Sequence, residues 1–580
     1  MIILGINCFG HDSAATFVKD GKVIFASEEE RLNRKKHSGD FPIEAIKSGL
    51  KFLNIDLSDI DHVAFSWNPT ITYRKIPTYL VRYWRTLPIL LKERKNFSME
   101  ENLGMLNYLS DINKLPKTLK SSIKSKNKTH FKFHKLEHHL CHAASCFYAT
   151  DFDNAAILTI DGAGEWSTTM VAYGNKGRIT KLWTVDTPFS LGALYQAIST
   201  YLGFRLVEGP GKLMGLASYG ERDSEEFYKL KKIITLNSDG KFSFDMSYFS
   251  YHYSRESGVT EKFINEFGPP NHLGKNWTQR ELNIAAAVQQ LLEEAIFNIL
   301  HWIKENLKTD NLCMAGGVAL NSVTNGLIAK SGLFKKVFIQ PAAGDSGTSL
   351  GAALYVENAI LNNERKYVQK NAFLGLEFSP KECKEALSKS NLNFKYMTDE
   401  NKYELLSQKI FDGEIIGWFN GRYEFGPRAL GNRSILASPL ISDMRDILNK
   451  RVKFRESFRP FAAIVLEEDV GIYFDSNIKN PYMLFVYEVR EKYRKIFPSI
   501  THIDNSVRIQ TVSKTDNREL YLLLKAFKKI SGYSVLINTS FNIKGEPIVS
   551  SPEDAIKSYK SSDIDSLVIN NFIIESKKIN

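Results

Sequence analysis

The N-terminal half of the chain alternates short apolar runs with longer stretches in which apolar residues recur at helical spacing. Three runs of strand length lie near the start, at Ile2–Ile6, Ala14–Val18 and Val23–Ser27. The spacing over Ile43–Leu53 predicts a helix, and Val63–Ser66 predicts a further strand. This order of elements is typical of an α/β domain.

The same order of elements starts again near the middle of the chain. We predict strands at Ala155–Ile160, Asn311–Ala315 and Val337–Gln340, and helices at Ala285–Leu307 and about Thr348–Ile360. Asp12 and Asp161 stand at the starts of the two layouts. We therefore expect a duplicated fold in this half.

A second domain is expected in the C-terminal third. The 580 residues exceed the roughly 250–300 that one hydrophobic core supports, and the polar stretch Asn362–Lys370 is the predicted linker. Beyond it we predict strands at Ile415–Phe419, Phe461–Leu466 and Val535–Asn538. The predicted domains are 1–365, with a basic insertion at about 68–135, and 371–580, both of the α/β class.

The net charge of +11 is concentrated in that insertion. Between Arg74 and Lys135 there are 15 Lys and Arg residues against four acidic ones, an excess equal to the charge of the whole chain. Residues such as Tyr79, Trp84 and Leu87 predict an amphipathic helical lobe within it. The insertion is either a solvated lysine-rich surface or a site for an anionic partner.

The composition is that of an ordinary globular protein, with 43% apolar and 24% charged residues. Because there is no run of about 18 apolar residues, no transmembrane segment is expected. The start Met1–Asn7 has the pattern of a buried strand rather than of a signal peptide. The five cysteines form no C-x-x-C pair and fit no disulfide framework, so we expect reduced thiols and a cytoplasmic location.

Two histidines four residues apart are the first candidate for metal chemistry. His138 and His142 would share one face of a helix, and imidazole is a favoured ligand of iron, zinc and similar metals. Asp161 and Asp345 each follow a predicted strand at a small-residue turn, where α/β folds place ligand-binding groups. Two His and two Asp form a candidate mixed metal site, although a hydrogen-bonded surface pair of histidines would show the same spacing.

Three glycine-rich turns follow predicted strands, at Gly162–Glu165, Gly316–Gly317 and Gly344–Gly347. Backbone N–H groups at such turns can approach a phosphate closely. Each turn alone is equally compatible with an ordinary tight turn. Three of them on separate strand ends in one domain predict a nucleotide cleft.

Arginines alternate with glycine, proline and phenylalanine in the C-terminal domain. Arg428 and Arg433 lie in one such segment, and Lys453 and Arg459 lie in a second. The planar guanidinium binds phosphate or carboxylate bidentately, and the turn Asn538–Asn542 adds hydroxyl and amide groups. We predict a site for a small dianion and not for nucleic acid, whose basic grooves interleave stacking aromatics. Covalent acyl-enzyme chemistry has no support, since we find neither a Ser/His/Asp order with a G-x-S-x-G elbow nor a P-loop.

Ordered motifs occur along nearly the whole chain. In the N-terminal half they are Gly5–Asn7, Gly10–Ala15, Ser27–Arg31, His138–Ser145, Asp161–Trp166, Lys212–Gly220 and Ala315–Asn321. In the C-terminal half they are Gly426–Ser434, Arg459–Ala462 and Asn538–Pro547. Together they resemble the O-carbamoyltransferases of antibiotic and nodulation-factor biosynthesis, of the cephamycin and tobramycin type.

The resemblance implies a fold and a reaction. The N-terminal domain would be like the tRNA-threonylcarbamoylation subunit, with the actin and sugar-kinase fold, and the C-terminal domain would be of the YrdC type. The C-terminal domain would use ATP, with Mg²⁺, and carbamoyl phosphate to make carbamoyl adenylate. The N-terminal domain would transfer the carbamoyl group to a hydroxyl of a small-molecule or sugar acceptor, beside a divalent metal that is iron in the family.

The resemblance also implies roles for individual residues. The metal ligands would be His138, His142, Asp161 and Asp345. The carbamoyl phosphate and ATP site would be lined by Arg428, Lys453, Arg459, Arg508, Ser540 and Asn542. Nucleotide contacts in the N-terminal domain would come from Gly162, Gly164, Glu165, Lys212, Gly316, Gly317 and Asn321. Asn7 and His11 would lie near the carbamoyl group, and His11 or Asp12 would take the acceptor proton.

Some alternatives stay open at this level. Ligand type alone does not separate iron from manganese or zinc, and a homodimer is one of the open oligomeric states. A sugar kinase or a chaperone-like ATPase of the actin superfold would share the fold, but neither gives the arginine-rich second domain a role. A hydrogenase-maturation carbamoyltransferase would need zinc fingers built on cysteine pairs, which the sequence lacks.

Overall fold

The computed structural model describes residues 1–82, 99–252, 258–456 and 458–575. The chain divides into two compact units. Unit 1 is formed by Met1–Glu29, His37–Leu320 and Gly332–Val368, and unit 2 by Glu30–Lys36, Asn321–Ser331 and Gln369–Asn580. Two short segments from the range predicted for the N-terminal domain therefore belong to unit 2. The domain boundaries predicted from the sequence stay a prediction.

The first sheet of unit 1 is built from the first 135 residues. Its strands are β1 (Ile2–Asn7), β2 (Ala14–Lys19), β3 (Lys22–Glu28), β4 (His62–Phe65) and β5 (Lys132–Lys135). Their order is β3-β2-β1-β4-β5, with β1 antiparallel to β2 and parallel to β4. All six residues of the central strand β1 are buried, as its uninterrupted apolar run predicts.

The second sheet of unit 1 repeats the first. Its strands are β6 (Asn154–Ile160), β7 (Ser167–Asn175) and β8 (Arg178–Asp186), and, after a separate hairpin of β9 (Ile234–Leu236) and β10 (Phe242–Phe244), β11 (Asn311–Ala315) and β12 (Lys336–Ile339). The order is β8-β7-β6-β11-β12. The central strand β6 is antiparallel to β7 and parallel to β11, so each strand has its counterpart in the first sheet. The predicted duplication is confirmed.

Helices cover these sheets. Those of unit 1 are Ile43–Leu53, Pro69–Arg82, Met99–Ser122, His138–Phe147, Leu191–Tyr201, Gly209–Leu216, Glu225–Lys231, Glu261–Phe267, Gln279–Asn306 and Ser346–Tyr355, the last continued by a π-turn at Val356–Ile360. Trp84 and Leu87 of the predicted amphipathic lobe lie outside the described residues. None of the described helices combines the length and the hydrophobicity that crossing a bilayer requires.

Small residues bring the helices His138–Phe147 and Ser346–Tyr355 close to each other and to β1. A Cβ atom on Gly351 would lie 1.8 Å from the carbonyl oxygen of Cys141, and one on Gly5 would lie 1.9 Å from that of Ser349. Neither position tolerates a side chain, because real Cβ atoms do not approach so closely. The close packing sets the start of each helix near the end of β6.

Unit 2 is also mixed α/β. Its strands are β13 (Lys395–Tyr396), β14 (Ile416–Phe419), β15 (Arg433–Ala437), β16 (Ala462–Leu466), β17 (Val486–Glu488), β18 (Ser506–Val512), β19 (Val535–Ser540), β20 (Ser566–Ile569) and β21 (Phe572–Glu575). They form one sheet in the order β13-β21-β20-β14-β15-β19-β16-β18-β17. The predicted likeness to the YrdC type stays a prediction.

The helices of unit 2 are Glu30–Asn33, Ser322–Ser331, Pro380–Lys389, Asp399–Phe411, Met444–Leu448, Val470–Tyr473, Glu491–Arg494, Arg518–Ser531 and Pro552–Lys560, with a π-turn at Asn449–Lys453. The amphipathic helix Arg518–Ser531 buries Leu520, Leu524 and Phe527 in a core that includes Trp418 of β14. Burying such side chains supplies about 1.5–3 kcal/mol each.

Candidate functional site

Four predicted metal ligands converge in unit 1. His138, His142, Asp161 and Asp345, here called the His–Asp cluster, each offer one atom, and these atoms lie within 4.8 Å of one another. Nε2 of His142 lies 2.9 Å from Oδ2 of Asp161 and 3.1 Å from Nε2 of His138. Oδ1 of Asp345 lies 3.5 Å from Nε2 of His138. The arrangement is a buried point at which two imidazoles face two carboxylates.

Local structure explains why the two histidines stand there. The helix His138–Phe147 begins at His138, whose backbone N–H donates to the Glu165 carboxylate at 3.0 Å. The same carboxylate accepts the N–H of Asn68 at 2.6 Å. Burial raises the pKa of Glu165 to about 7. In this structure Glu165 binds the first turn of the helix that carries His138 and His142, and its predicted contact with a nucleotide stays a prediction.

In the His–Asp cluster the imidazoles and the carboxylates stabilise each other's charged forms. Burial by itself would lower the pKa of His138, yet Asp345 and Asp161 raise it well above its usual value. Burial would likewise raise the pKa of Asp161, and the two imidazoles hold it well below its usual range. His139 lies beside the cluster, where burial lowers its pKa, and its Nδ1 meets the Thr159 hydroxyl at 2.7 Å.

The glycine-rich turns orient Asp161. Its Oδ1 accepts the backbone N–H of Gly162 at 2.7 Å and that of Gly317 at 3.3 Å, which leaves Oδ2 for the histidines. Gly316 has a φ of +93°, and a Cβ atom on Gly164 would lie 2.9 Å from the His139 ring. These glycines therefore serve the His–Asp cluster in this structure. Their predicted contact with a nucleotide stays a prediction.

Lys212 and Asn321 were also predicted to contact a nucleotide, and this stays a prediction. Lys212 stands on the helix Gly209–Leu216, with its Nζ 3.9 Å from Glu208. Asn321 belongs to unit 2 and not to the N-terminal half in which it was predicted to act. Its Oδ1 accepts the N–H of Thr324 at 3.1 Å, at the start of the helix Ser322–Ser331.

The turn after β1 carries Asn7, His11 and Asp12 next to the cluster. Asn7 donates from Nδ2 to the carbonyl oxygen of Asp12 at 3.2 Å and accepts from the Ser66 hydroxyl at 3.0 Å. Nε2 of His11 lies 3.7 Å from Oδ2 of Asp345. The charge of Asp345 raises the pKa of His11 to about 10. Burial opposes this rise, and Asp12 adds to it. The cationic imidazole suits hydrogen-bond donation better than proton acceptance.

Arginines gather in unit 2. Arg428, Arg455, Arg459 and Arg508, here called the arginine cluster, lie within electrostatic reach of one another, since burial and then their neighbours' charges lower the pKa of Arg508 well below its usual value. Burial and Arg459 lower the pKa of Arg428 to about 10. Within the described part of the chain, buried nitrogens of Arg428, Arg455 and Arg508 meet no hydrogen-bond partner. Nη1 of Arg459 lies 3.9 Å from the carboxylate of Glu456.

The other predicted members of this site contact one another. Nζ of Lys453 donates to Oδ1 of Asn542 at 2.9 Å and to Oγ of Ser540 at 3.3 Å. Burial, followed by the charges of Arg455, Arg459 and Lys36, lowers the pKa of Lys453 well below its usual value. Lys453 therefore ties the β19 turn to the arginine cluster.

Sequence reasoning missed Arg455, Lys36 and His37. Arg455 lies inside the motif that contains Lys453 and Arg459, so its position was a usable signal. Lys36 comes from a segment more than 400 residues away, and no local pattern links it to Lys453. His37 donates to Asp12 at 2.8 Å, a contact between two loops that sequence spacing does not report.

Comparison with known proteins identifies the class. The profile of the family Carbamoyltransferase N-terminus matches residues 2–354, and that of Carbamoyltransferase C-terminus matches residues 407–576. The chain belongs to the carbamoyltransferase family, whose members are enzymes that transfer carbamoyl groups.

Individual relatives agree with this family. An uncharacterized protein of Synechocystis sp. is 40% identical, with 99% of this chain and 96% of that protein covered. Nodulation protein NolNO of Sinorhizobium fredii is 34% identical, with 98% and 80% covered. The 3'-hydroxymethylcephem-O-carbamoyltransferase of Amycolatopsis lactamdurans is 31% identical, with 62% and 63% covered. The resemblance to O-carbamoyltransferases seen in the sequence is confirmed.

Among solved structures, the component A of (R)-2-hydroxyglutaryl-CoA dehydratase from Acidaminococcus fermentans matches with a TM-score of 0.33 at 14% identity, covering 61% of this chain and 97% of that one. A likeness at this level supports no conclusion about function.

Proposed function

We propose that the protein is an ATP-dependent O-carbamoyltransferase whose two units divide the reaction. Unit 2 makes carbamoyl adenylate from carbamoyl phosphate and ATP. Unit 1 then transfers the carbamoyl group to a hydroxyl of a small molecule or sugar. The observation that carries the proposal is the arginine cluster, four guanidinium groups within electrostatic reach of one another in a member of a carbamoyltransferase family.

The arginine cluster supports phosphate chemistry. A charge-assisted hydrogen bond contributes about 1.5–3 kcal/mol, so a few converging guanidinium groups can hold a small dianion such as carbamoyl phosphate. In the proposed reaction water attacks the carbamoyl carbon of the donor, the bond to phosphate breaks, and carbamate and inorganic phosphate form. A carbamate oxygen then attacks the α-phosphorus of ATP, and pyrophosphate leaves. Arg428, Arg459 and Arg508 would stabilise the charge on the phosphoryl oxygens.

Lys453, Ser540 and Asn542 would complete that site. Their mutual hydrogen bonds fix the ammonium group beside the guanidinium groups. A lysine held in this way is already ordered, which avoids the entropy cost of ordering it when substrate binds, and a bound anion would favour its charged form.

The His–Asp cluster fits a divalent first-row metal. Two imidazole nitrogens and two carboxylate oxygens around one point are a typical donor set for such an ion, and iron is our proposal because the family resemblance implies it. When bound, the ion would polarise the carbamoyl carbonyl. Gly162 and Gly317 hold Asp161 in place, and Glu165 holds the first turn of the histidine helix.

The turn after β1 would serve the acceptor side. Asn7 is buried and its amide is held by Ser66 and by the backbone at Asp12. His11 is half exposed and adjoins Asp345, so it can meet a bound substrate. In the transfer step the acceptor oxygen would attack the carbamoyl carbon, AMP would leave, and the hydroxyl proton would pass to a base at this turn or to AMP.

Pyrophosphate release from ATP tests the first half-reaction. We expect release from the wild type only when carbamoyl phosphate is present, and a loss of at least about 100-fold, or about 2.7 kcal/mol, in Arg459→Ala. Lys395→Ala is the control in unit 2. Lys395 pairs with Glu575 at 2.8 Å on β13, which lies at the opposite edge of the sheet from β17 and β18. Release that does not depend on carbamoyl phosphate would refute the proposal and favour a plain ATPase or kinase.

A further inference from the structure

Four side chains form a chain of alternating imidazoles and carboxylates that begins at the His–Asp cluster. Oδ2 of Asp345 lies 3.7 Å from Nε2 of His11. Nδ1 of His11 lies 3.0 Å from Oδ2 of Asp12, and Oδ1 of Asp12 lies 2.8 Å from Nδ1 of His37. Each oxygen of Asp12 therefore faces a different histidine.

The chemistry of these groups decides which atoms carry protons. An ionised carboxylate only accepts hydrogen bonds, so Asp12 must receive an N–H from Nδ1 of His11 and another from Nδ1 of His37. Nδ1 of His11 is thereby committed to Asp12. Its Nε2 is left to face Asp345 and whatever binds at the cluster.

The backbone around Asp12 is held in an unusual conformation. Phe9, Asp12 and His37 have φ values of +73°, +53° and +54°, which cost an L-residue roughly 1–2 kcal/mol each. Such strain persists where surrounding structure fixes it, and it concentrates at functional sites. The positive φ values around Asp12 therefore suggest that this turn has a functional role.

Two loops fix this conformation together. The N–H of Phe9 donates to the carbonyl oxygen of Gly39 at 2.9 Å, and that of Ser13 to Ser38 at 2.8 Å. A Cβ atom on Gly39 would lie 2.3 Å from the carbonyl oxygen of Gly10, so only glycine permits the approach. His37 thus reaches Asp12 from a loop that is itself paired with the His11 turn.

Solvent exposure makes this support necessary. The side chains of His11, Asp12 and His37 are 49%, 27% and 30% exposed, and an isolated exposed ion pair contributes only about 0–1 kcal/mol. A half-exposed imidazole with one such contact would sample several rotamers. Asp12 held on both oxygens is a firmer support for His11 than Asp12 held on one.

We propose that His37 is a positioning residue for carbamoyl transfer, which it serves by holding Asp12 so that Asp12 fixes the ring of His11 with Nε2 toward Asp345. The inference rests on the proposed function. It adds to it a residue from a separate loop, acting two side chains away from the cluster.

Nuclear magnetic resonance of the full chain labelled with ¹⁵N-histidine tests the hydrogen-bond chain directly. In the wild type we expect slowly exchanging Nδ1–H signals from His11 and His37. His37→Ala should remove its own signal and also that of His11. His37→Asn should keep the His11 signal, because the asparagine Nδ2 stands as many bonds from the backbone as Nδ1 does.

Two further variants keep the experiment decisive. His37→Gly tolerates the positive φ and replaces the alanine variant if that one does not fold. His130→Ala is the control, because His130 is exposed on a loop outside the site and should affect only its own signal. An unchanged His11 signal in both His37→Ala and His37→Gly would overturn the proposal.

Kinetics separate this inference from the proposed function. With glycerol as hydroxyl probe and ¹⁴C-carbamoyl phosphate as donor, transfer in His37→Ala should fall about 10–100-fold more than pyrophosphate release, the usual effect of losing a group that orients a site residue. His37→Asn should recover most of the loss. An equal fall in both steps would contradict positioning. If pyrophosphate release is independent of carbamoyl phosphate, the proposed function fails, while the resonance experiment still decides the role of His37.

Discussion

The His–Asp cluster of unit 1 and the arginine cluster of unit 2 are balanced in opposite ways. Two imidazoles face two carboxylates in the first, so each charge has a partner. The second gathers four guanidinium groups within electrostatic reach of one another, and Arg459 lies 3.9 Å from the carboxylate of Glu456. Paired charges make a site at which a cation can replace protons. Like charges make a site that a bound anion would stabilise.

The largest expected effect is on metal affinity. His142→Ala removes a fully buried ligand and should weaken Co²⁺ binding by more than the roughly 10–100-fold lost with a supporting residue. Equilibrium dialysis measures the affinity. Asp310→Asn serves as the control, because Asp310 pairs with Lys335 at the surface and precedes β11, whereas Gly317, which contacts Asp161, follows the other end of that strand. Equal Co²⁺ affinity in His142→Ala and the wild type would contradict the proposal that the His–Asp cluster binds a metal.

Mutation of Arg433 should lower the stability of the protein, and mutation of Arg508 should raise it. Arg433 is buried, and its Nη1 donates to the carbonyl oxygens of Asn420, Gly421 and Asn432. Arg433→Ala should destabilise unit 2 by about 3–5 kcal/mol, since it leaves these buried carbonyl oxygens without their hydrogen-bond donor. Arg508→Met removes a cation repelled by its neighbours and should stabilise the chain by about 1 kcal/mol.

Thermal unfolding with and without inorganic phosphate measures both effects. Phosphate should raise the unfolding temperature of the wild type by more than that of Arg508→Met, because a ligand that binds the folded state stabilises it. If both arginine variants lost stability to a similar extent, the arginine cluster would be an ordinary structural network.

Proton release distinguishes the clusters at neutral pH. The raised pKa of His138 means that its imidazole carries a proton at pH 7, and a metal ligand must be neutral. Binding of Co²⁺ should therefore release about one proton. Binding of sulfate, an anion that is fully ionised at pH 7, should release none in unit 2, because the lowered pKa of Lys453 allows that residue only to take a proton up. Calorimetry in two buffers of different ionisation enthalpy gives both numbers. Co²⁺ binding with no proton release would contradict the charge assignment.

The smallest effect concerns a histidine pair outside both clusters. Burial, followed by the charge of His62, lowers the pKa of His134 to about 4, and the two rings meet at 2.9 Å. Between pH 6.5 and 4 the unfolded chain binds more protons than the folded one, so stability falls as the pH drops, by at most about 1.4 kcal/mol per pH unit. In His134→Asn the unfolding temperature should fall less between pH 7 and 5 than in the wild type. His130→Asn should behave like the wild type.

Much of the fold could be predicted because its strands are buried runs between clear turns. The apolar runs at Ile2–Ile6 and Ala155–Ile160 predicted the two central strands. Positions just after predicted strands pointed to Asp161 and Asp345. What could not be predicted is tertiary placement. Nothing in the sequence near Asn321 shows that the chain there packs within unit 2.

The sites show the same limit. Arg428 and Arg433 lie five residues apart in one motif, yet Arg433 donates to backbone carbonyls while the buried Nε of Arg428 has no hydrogen-bond partner among the described residues. Pattern alone cannot separate them, because the difference lies in which loops surround each side chain. His37 was missed for a related reason, since a positive φ at a non-glycine residue leaves no mark in the sequence.

The excess of guanidinium groups in unit 2 has a consequence for how the enzyme would work in a cell. Charge alone does not tell one small tetrahedral dianion from another, so phosphate released from the donor would compete with fresh carbamoyl phosphate for the same arginines. The enzyme would then slow as its own by-product accumulates. Its turnover would follow the local ratio of carbamoyl phosphate to free phosphate, and assays in phosphate buffer would underestimate its rate.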